Sequence, residues 1–214
     1  MTTKLQIYNG ALSLIGDRLL ASLTEERESR RLLDLVYDDD GIKACLEAGQ
    51  WYFAMRSQKI TYDPSITPTW GLRRVFDVPS DHVRTCALCS DEQFEMPLLN
   101  YREEANFWYA DVDIIYVRFV SQSTNYGLDL SLWPQSFVEF VKAHFASKIS
   151  PTVTASDGTK KDSFAYRNMM LKHAKSLAAM ADGSTFPARG AWANARAGNS
   201  RGWRDRGNTG SLIG

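Results

Sequence analysis

Two cysteines, Cys86 and Cys89, have the spacing that is typical of redox or zinc chemistry. A zinc site would need two further ligands at suitable spacing, and the remaining candidates are Cys45 and three histidines. A thioredoxin-like site places such a pair at a helix N-terminus, whereas residues 83–89 have the pattern of a strand. Three positions apart on a strand, the two sulfur atoms point to opposite faces. We therefore expect buried structural thiols, with no metal and no cofactor.

The histidines and acidic pairs give no catalytic arrangement in the sequence. Two histidines lie in helical patterns and the third follows an aspartate in a turn, so packed or solvated side chains are expected. The three are His82, His144 and His173. Glu103-Glu104 and Asp111-x-Asp113 could act as acids or bases, but nothing places a pair across a substrate. The chain contains no Gly-x-Ser-x-Gly, phosphate-binding glycine loop or His-Glu-x-x-His motif. We expect no catalytic residue and no enzyme.

The composition is that of a globular protein with balanced charge. The chain has 214 residues, of which 44% are hydrophobic, and 25 basic residues face 25 acidic ones. Such a length is enough for one domain, or for one domain with an inserted lobe. No run approaches the roughly 18 apolar residues that span a bilayer. The first residues lack the pattern of a signal peptide, so we expect synthesis in a reducing cytoplasm and no membrane partner.

Residues 184–214 differ from the rest of the chain. Five arginines face a single acid, Asp205, glycine recurs, and the apolar residues have no helical or strand period. Such a segment cannot bury enough surface alone to offset its ordering entropy. It nevertheless contains Trp192 and Trp203, and Trp and Arg dominate protein–protein hot spots. We predict an arm that becomes ordered on a partner protein; the alternatives are a nucleic-acid tether and an idle tail.

The first part of the sequence has the pattern of two helices. Thr2 or Thr3 can cap the first, and Gly16 is placed to end it. The capping-box pattern of residues 22–25 predicts a long second helix that ends near Ala48. Three consecutive aspartates at 38–40 fit polar helix surface better than a calcium loop.

Helical spacing returns at Trp133-Pro134, since proline in the first turn of a helix costs no hydrogen bond. A loop is predicted at 151–158 and a fourth helix at about 159–182. The residues of that helix predicted to face inward are Phe164, Leu171, Ala174, Leu177, Ala178 and Ala181.

Between the helical parts, turn signals separate short segments with strand-like composition. The predicted strands are 73–78, 83–89, 93–99 and 112–120. Residues 114–120 are apolar on both faces except for Arg118, as in a strand covered on both sides. The sequence therefore predicts an α+β fold. It consists of a four-helix bundle from 1–50 and 131–183, an inserted, small and mainly antiparallel β lobe at 51–130, and an extended C-terminal arm at 184–214.

An ordered set of short motifs resembles the tail tubular protein A family, the head-to-tail adaptors (connectors) of tailed bacteriophages. Each motif alone is weak, and the specificity comes from their order and spacing from Asn9 to Arg196. The motifs are Asn9-x-Ala11-Leu12-x-x-Ile15-Gly16, Ser22-Leu23-Thr24-Glu25, Leu46-x-x-Gly-x-Trp51-x-Phe53-Ala54-x-Arg56, Phe76-x-Val78-Pro79-x-Asp81-x-Val83-Arg84, Trp133-Pro134-x-x-Phe137 and Trp192-x-x-Ala195-Arg196.

The resemblance implies a structural virion protein. Family members form a homo-oligomeric ring, typically a dodecamer, beneath the portal at the neck of the capsid. The ring extends the DNA channel, helps to retain packaged DNA until ejection, and carries the tail. The implied partners are the portal protein, the downstream tail or nozzle protein, further copies of the same chain, and the DNA in the channel; assembly would occur in the host cytoplasm.

The arm would then be the portal-binding segment. As a hypothesis, its large and cationic residues dock into grooves of the portal and become ordered on assembly. These residues are Trp192, Arg196, Trp203, Arg204 and Arg206. The alternative function is a nucleic-acid-binding accessory protein that uses the Arg/Gly-rich tail, for which steep salt dependence of DNA binding is expected.

Overall fold

The computed structural model describes residues 2–68, 71–154 and 156–181 and has an α+β fold, as predicted. Helices occupy the two ends of the described chain, and six strands lie between them. The helices are α1 (Lys4–Ile15), α2 (Glu28–Val36), α3 (Ile42–Glu47), α4 (Gln135–Val153) and α5 (Asp157–Ala181), and the strands are β1 (Met55–Thr61), β2 (Arg74–Asp77), β3 (His82–Cys89), β4 (Arg102–Glu104), β5 (Phe107–Ala110) and β6 (Ile114–Ser121). None of the described helices is long and apolar enough to cross a membrane.

Helix α1 begins and ends at the residues that the sequence indicates. The Thr3 hydroxyl accepts from the backbone N–H of Gln6 at 3.3 Å, and the Gln6 side chain accepts from the N–H of Thr3 at 3.1 Å. This reciprocal pair is a capping box. Gly16 ends the helix in the left-handed region, with φ 75°, which glycine adopts without steric cost.

The sequence predicts one long helix from about residue 22 to residue 48. Both the predicted start and the predicted continuity of this helix are wrong. Ser22 and Glu25 form no capping box, because the Glu25 carboxylate instead accepts from the N–H of Ala21 at 2.9 Å. Helix α2 starts only at Glu28, after a loop in which the Asp17 carboxylate accepts hydrogen bonds from Arg27 and Ser29.

A five-residue π-helical segment, Tyr37–Gly41, separates α2 from α3. A Cβ atom on Gly41 would lie 3.1 Å from a ring carbon of Phe145 in α4 and 2.3 Å from the carbonyl oxygen of Val36. The segment therefore lies against α4 in a way that only glycine permits, and this tertiary contact accompanies the local widening of the helix.

The strands form two antiparallel three-stranded sheets, with orders β1-β6-β3 and β2-β5-β4. Three of the predicted strands correspond to β2, β3 and β6. The prediction at 93–99 is wrong, since that segment makes a single bridge, Cys89 to Pro97, and a turn held by the Asp91 carboxylate, which accepts from the N–H groups of Glu95 and Met96.

The β4–β5 hairpin was not predicted from the sequence. Its turn residues Ala105 and Asn106 have φ of 49° and 65°. Two consecutive residues with positive φ are typical of the tight hairpin turns that usually contain Asn-Gly. Ala-Asn lacks that signal, and the charged residues of β4 are exposed, so neither the turn nor the strand is visible in the pattern.

Strand β6 connects two separate cores. Ile115, Val117 and Phe119 face a core between the two sheets, together with Phe76 and Trp108. The side chain of Val120 points to the opposite face of the strand and packs in the core of the helices. Ile114 and Arg118 are exposed and Tyr116 is partly buried, so one face of the strand is uncovered from residue 114 to residue 118, and the expectation of a strand covered on both sides is wrong for that part.

Helix α4 lies at the centre of the helical part. Helices α1, α2, α3 and α5 all pack on it, and α5 makes the most extensive contact. Helix α4 continues through Pro151 to Val153, so it includes the first three residues of the loop predicted at 151–158. In α5, Ala174 and Ala178 are buried as predicted, but Phe164 and Leu177 are 45% and 42% exposed rather than inward.

Phe137 of α4 is the centre of an aromatic cluster. Its ring centroid lies 4.8 Å from those of Trp51 and Phe53, and 4.9 Å from that of Trp133. The buried indoles are satisfied, because Trp51 Nε1 donates to the carbonyl of Cys45 at 3.0 Å and Trp133 Nε1 to that of Gly127 at 2.9 Å. The cluster thus joins α4 to the chain that leaves α3 and to the chain that follows β6.

The substitution Phe137→Ala is expected to lower the free energy of unfolding by about 3–5 kcal/mol, because it removes fully buried ring area and leaves a cavity among three aromatic neighbours. Denaturant unfolding followed by circular dichroism measures the loss. Phe164→Ala is the matched control, and its half-exposed ring should cost about 1 kcal/mol or less. Equal losses in the two variants would contradict a central role for the cluster.

Candidate interaction site

The predicted portal-binding residues lie outside the described residues. They are Trp192, Arg196, Trp203, Arg204 and Arg206, within the predicted arm at 184–214. The geometry of the chain therefore bears on function through the remaining motif residues, the polar clusters and the exposed helix faces.

Two motif residues that are far apart in sequence, Arg56 and Asp81, meet in an ion pair. Arg56 Nη1 donates to the Asp81 carboxylate oxygens at 2.9 and 2.8 Å. Asp81 also accepts from the Ser121 hydroxyl, and its backbone carbonyl accepts from the N–H of Gln122 at 2.8 Å. Burial raises the pKa of Asp81, but the hydrogen bonds from Ser121 and Arg56 outweigh it, and the pKa lies below its ordinary value. This group, the Arg56–Asp81 joint, connects β1, the turn before β3, and the end of β6.

Another motif residue, Asn9, holds the chain after α1. Its side-chain amide donates to the carbonyl of Leu20 at 3.0 Å and accepts from the N–H of Leu20 at 2.8 Å. These two hydrogen bonds satisfy both backbone polar groups of Leu20, and they hold its side chain in the core of the helices. The contacts of Asn9, of Arg56 with Asp81, and of the aromatic cluster thus position separate parts of the chain.

His82 takes part in a polar network between the sheets. The Thr85 hydroxyl donates to Glu103 Oε2 at 2.8 Å, and Trp108 Nε1 donates to the same oxygen at 3.1 Å. Since the single Thr85 proton is given to Glu103, His82 Nε2, which lies 2.9 Å from the Thr85 oxygen, is the donor in that contact. Burial lowers the pKa of His82, while Glu103 and Asp81 act in the other direction. In this arrangement His82 Nε2 cannot act as a base toward Thr85, and the network ties one sheet to the other.

His144 is buried in the middle of α4. Its side chain is 3% exposed, and neither ring nitrogen has a hydrogen-bond partner among the described residues. Burial, followed by the nearby charges of Arg167 and Lys148, lowers the pKa of His144 to about 4. The imidazole is therefore neutral at pH 7, and its charged form is strongly disfavoured in the folded state.

None of the three cysteines, all of which lie in the described part of the chain, is joined in a disulfide. Cys45 and Cys89 are buried and Cys86 is half-buried, where it packs against the core of the helices. Burial raises the pKa values of Cys45 and Cys89, so both are protonated at neutral pH. In the part of the chain that the structure describes, no three His, Cys, Asp or Glu side chains are arranged to hold a metal ion.

Helix α5 exposes an apolar stripe. Met169, Leu177 and Met180 are 53%, 42% and 76% exposed. Together with His173 they follow the 4-4-3 spacing of one helix side. Lys172 and Lys175 are exposed beside the stripe. We call these six residues the α5 face. A cleft of about 330 Å³ with both polar and apolar lining lies between α1, α4 and α5, and one of its lining residues, Tyr166, lies one turn before Met169.

Helix α2 exposes an acidic side. Leu35 is 63% exposed, and the side chains around it are mostly charged. Asp34, in contrast, points to α1, where it accepts from the Tyr8 hydroxyl at 2.8 Å and pairs with Lys4 at 3.2 Å. We call the exposed set the α2 face. Its members are Glu28, Arg31, Leu35, Asp38 and Asp39.

Neither a family model nor a curated protein matches this chain. Function is therefore inferred from its own residues and their geometry.

The substitution Asp81→Asn is expected to lower the free energy of unfolding by about 1–3 kcal/mol, because it leaves the half-buried Arg56 guanidinium without its counter-charge. Denaturant unfolding at pH 7 measures it. Asp113→Asn is the control, since Asp113 pairs with Arg74 at 2.7 Å but is 69% exposed, and this change should cost about 0–1 kcal/mol. If Asp81→Asn lowered the free energy of unfolding as little as the control does, the result would contradict a stabilising role for the Arg56–Asp81 joint.

His144 predicts a specific pH dependence. Its pKa is about 4 when folded and about 6.5 in an unfolded chain, so between these values the unfolded state binds more protons. Its contribution is complete above about pH 6.5 and is lost as the pH falls to 4, with a size on the order of 3 kcal/mol. His144→Phe should therefore reduce the slope of unfolding free energy against pH in this window. The slope that remains includes His82, whose pKa is lowered in the same direction.

The control for this measurement is His173→Phe, which replaces an exposed imidazole on α5. It should change the pH slope less than His144→Phe does, because its ring is exposed in the folded chain. Urea unfolding at half-unit steps from pH 4 to 7.5 gives the slopes, and an unaltered slope in His144→Phe would contradict the assignment.

Proposed function

We propose that this protein is a head-to-tail adaptor, a structural virion protein that forms a ring beneath the portal of a tailed bacteriophage. The ring extends the DNA channel and provides the attachment platform for the tail. In this proposal the helical part is a four-helix bundle with an inserted β lobe, and residues 184–214 form an arm that docks on the portal.

One observation carries the proposal: residues from separate motifs that suggested the family contact one another at two places in the fold. Trp51, Phe53, Trp133 and Phe137 come from two motifs and share one aromatic cluster. Arg56 and Asp81, from two different motifs, form one ion pair. The packing of α1, α2 and α5 on α4 supports the bundle.

The composition of the arm supports its proposed role. Residues 184–214 carry five arginines and one acid, and the remaining residues therefore carry a net charge of −4 to balance the total of zero. Trp192 and Trp203 are large anchors of the type found at hot spots, and the arginines can pair with acidic groups on a partner.

The proposal is tested by removing residues 184–214. The shortened chain should keep the folded state, because its cores lie within residues 7–178, and should lose binding to the portal protein encoded in the same genome. Co-sedimentation and electron microscopy of portal complexes measure this, and the circular dichroism spectrum verifies folding. Portal binding by the shortened chain at full strength would refute the role of the arm.

Point substitutions refine the same test. Trp192→Ala and Trp203→Ala are each expected to weaken portal binding about 30-fold or more, as for hot-spot residues. Asn194→Ala and Asn199→Ala are controls within the same arm and should change it less than about threefold. If the tryptophan variants bind the portal normally, and DNA binding by the whole chain instead falls steeply with salt, the nucleic-acid-binding function is favoured.

A further inference from the structure

The α5 face is an apolar surface without a partner in the described structure. Only Ser163, Ala174 and Ala178 of the 25-residue helix are buried. Methionine at 76% exposure, beside a leucine and a second methionine on the same side, is typical of a surface that another protein covers. Its neighbours Lys172 and Lys175 form no ion pair with any described residue, so their charges are available to a partner.

The charge of α5 indicates what kind of partner fits. The helix has five basic and two acidic residues, a net charge of +3. The segment 28–41, which contains the α2 face, has five acidic and two basic residues, a net charge of −3. Within the described ranges, Glu28, Asp38 and Asp39 also form no ion pair. The two surfaces of this one chain therefore complement each other in charge, and each has exposed aliphatic or thioether side chains within it.

The two faces lie on opposite flanks of the helical part. Around α4, Lys142 lies against Gly10 of α1, Phe145 lies against Gly41, and Ser150 contacts Ser163 of α5 at 3.1 Å between hydroxyl oxygens. Each residue turns the helix by about 100°. Viewed down the axis of α4, the side chain of Phe145 therefore lies about 60° to one side of Lys142, and that of Ser150 lies about 80° to the other side. Helix α1 therefore lies between the segment that follows α2 and helix α5.

From this geometry we infer that the α5 face of one subunit packs against the α2 face of the next subunit. The contact is heterologous, since a two-fold contact of either face with itself would set like charges opposite one another. Leu35 of one copy meets the Met169–Leu177–Met180 stripe of the other, and Lys172 and Lys175 meet the acidic residues around Leu35. The inference rests on the proposed ring, for which it names the subunit interface.

Disulfide trapping tests the contact. In the double variant Leu35→Cys with Leu177→Cys, mild oxidation should give a ladder of dimers, trimers and larger covalent oligomers, because each chain offers both halves of the contact. The pairs Arg31→Cys with His173→Cys and Arg31→Cys with Met180→Cys cover both relative directions of the helices. All these positions are exposed, so the folded state is retained. The unsubstituted chain, with its three native thiols, gives the background.

The single variants are the matched controls. Leu35→Cys or Leu177→Cys alone should give no dimer above background. An efficient dimer from a single variant would show a two-fold contact and overturn the inference. As a second measurement, Lys172→Glu with Lys175→Glu should reduce the ladder at least tenfold, and adding Glu28→Lys with Asp38→Lys should restore it.

The same trapping on purified portal complexes separates this contact from the adaptor role. Portal binding with no ladder from any pair would overturn the α5–α2 contact and leave the adaptor proposal standing. A ladder in a protein that does not bind the portal would support the contact and refute the adaptor. Loss of both would refute both.

Discussion

The structure depends on one constraint: helices from the two ends of the described chain must share one core, although 87 residues separate α3 from α4. The aromatic cluster around Phe137 meets this constraint. Trp51 enters the cluster immediately after α3, and its N–H is satisfied by carbonyls at the end of that helix, so a large polar aromatic is buried without a desolvation penalty. Trp133 does the same just before α4. The strands between them are therefore held at both ends by tryptophans of one cluster.

The strands are attached to the helices by a second set of contacts, which lies at one end of β6. Phe119 and Val120 are consecutive in β6 and point in opposite directions, one into the core between the sheets and the other into the core of the helices. At the same end of β6, the Arg56–Asp81 joint fixes β1 and the turn before β3. Apolar burial supplies the attraction here, while the ion pair and the Ser121 hydroxyl join β1, the turn before β3 and the end of β6 to one another.

The parts of this fold that could be predicted from sequence are those determined by neighbours in the chain. Thr3 caps the start of α1, Gly16 ends it, and Pro134 stands at the start of α4. All three positions follow from local capping preferences. The π-helical segment at 37–41 coincides with the close approach of Gly41 to the carbonyl of Val36 and to the ring of Phe145, and the Phe145 contact joins residues more than 100 positions apart, so the helical pattern of the sequence does not reveal it. The α5 stripe was misread for a related reason. Phe164 and Leu177 fit an inward helical pattern, yet α5 packs on α4 mainly through the small side chains Ala174 and Ala178, and this leaves the larger ones outside. The predicted arm residues are beyond the described part of the chain.

If the proposed packing is correct, the equal numbers of acidic and basic residues in this chain have a structural explanation. A net charge of zero, by itself, argues against a general nucleic-acid binder and says nothing about the distribution of charge. Here Lys172 and Lys175 give the α5 face a charge of +2, and Glu28, Asp38 and Asp39 together with Arg31 give the α2 face a charge of −2. Each contact of unlike faces would neutralise both, so a ring could form without accumulating repulsion at its interfaces. The charges would guide encounter and orientation, and the exposed Leu35, Met169 and Met180 would supply most of the affinity. Salt should then slow assembly more than it weakens the completed ring, because exposed charges are screened while buried apolar contacts are not.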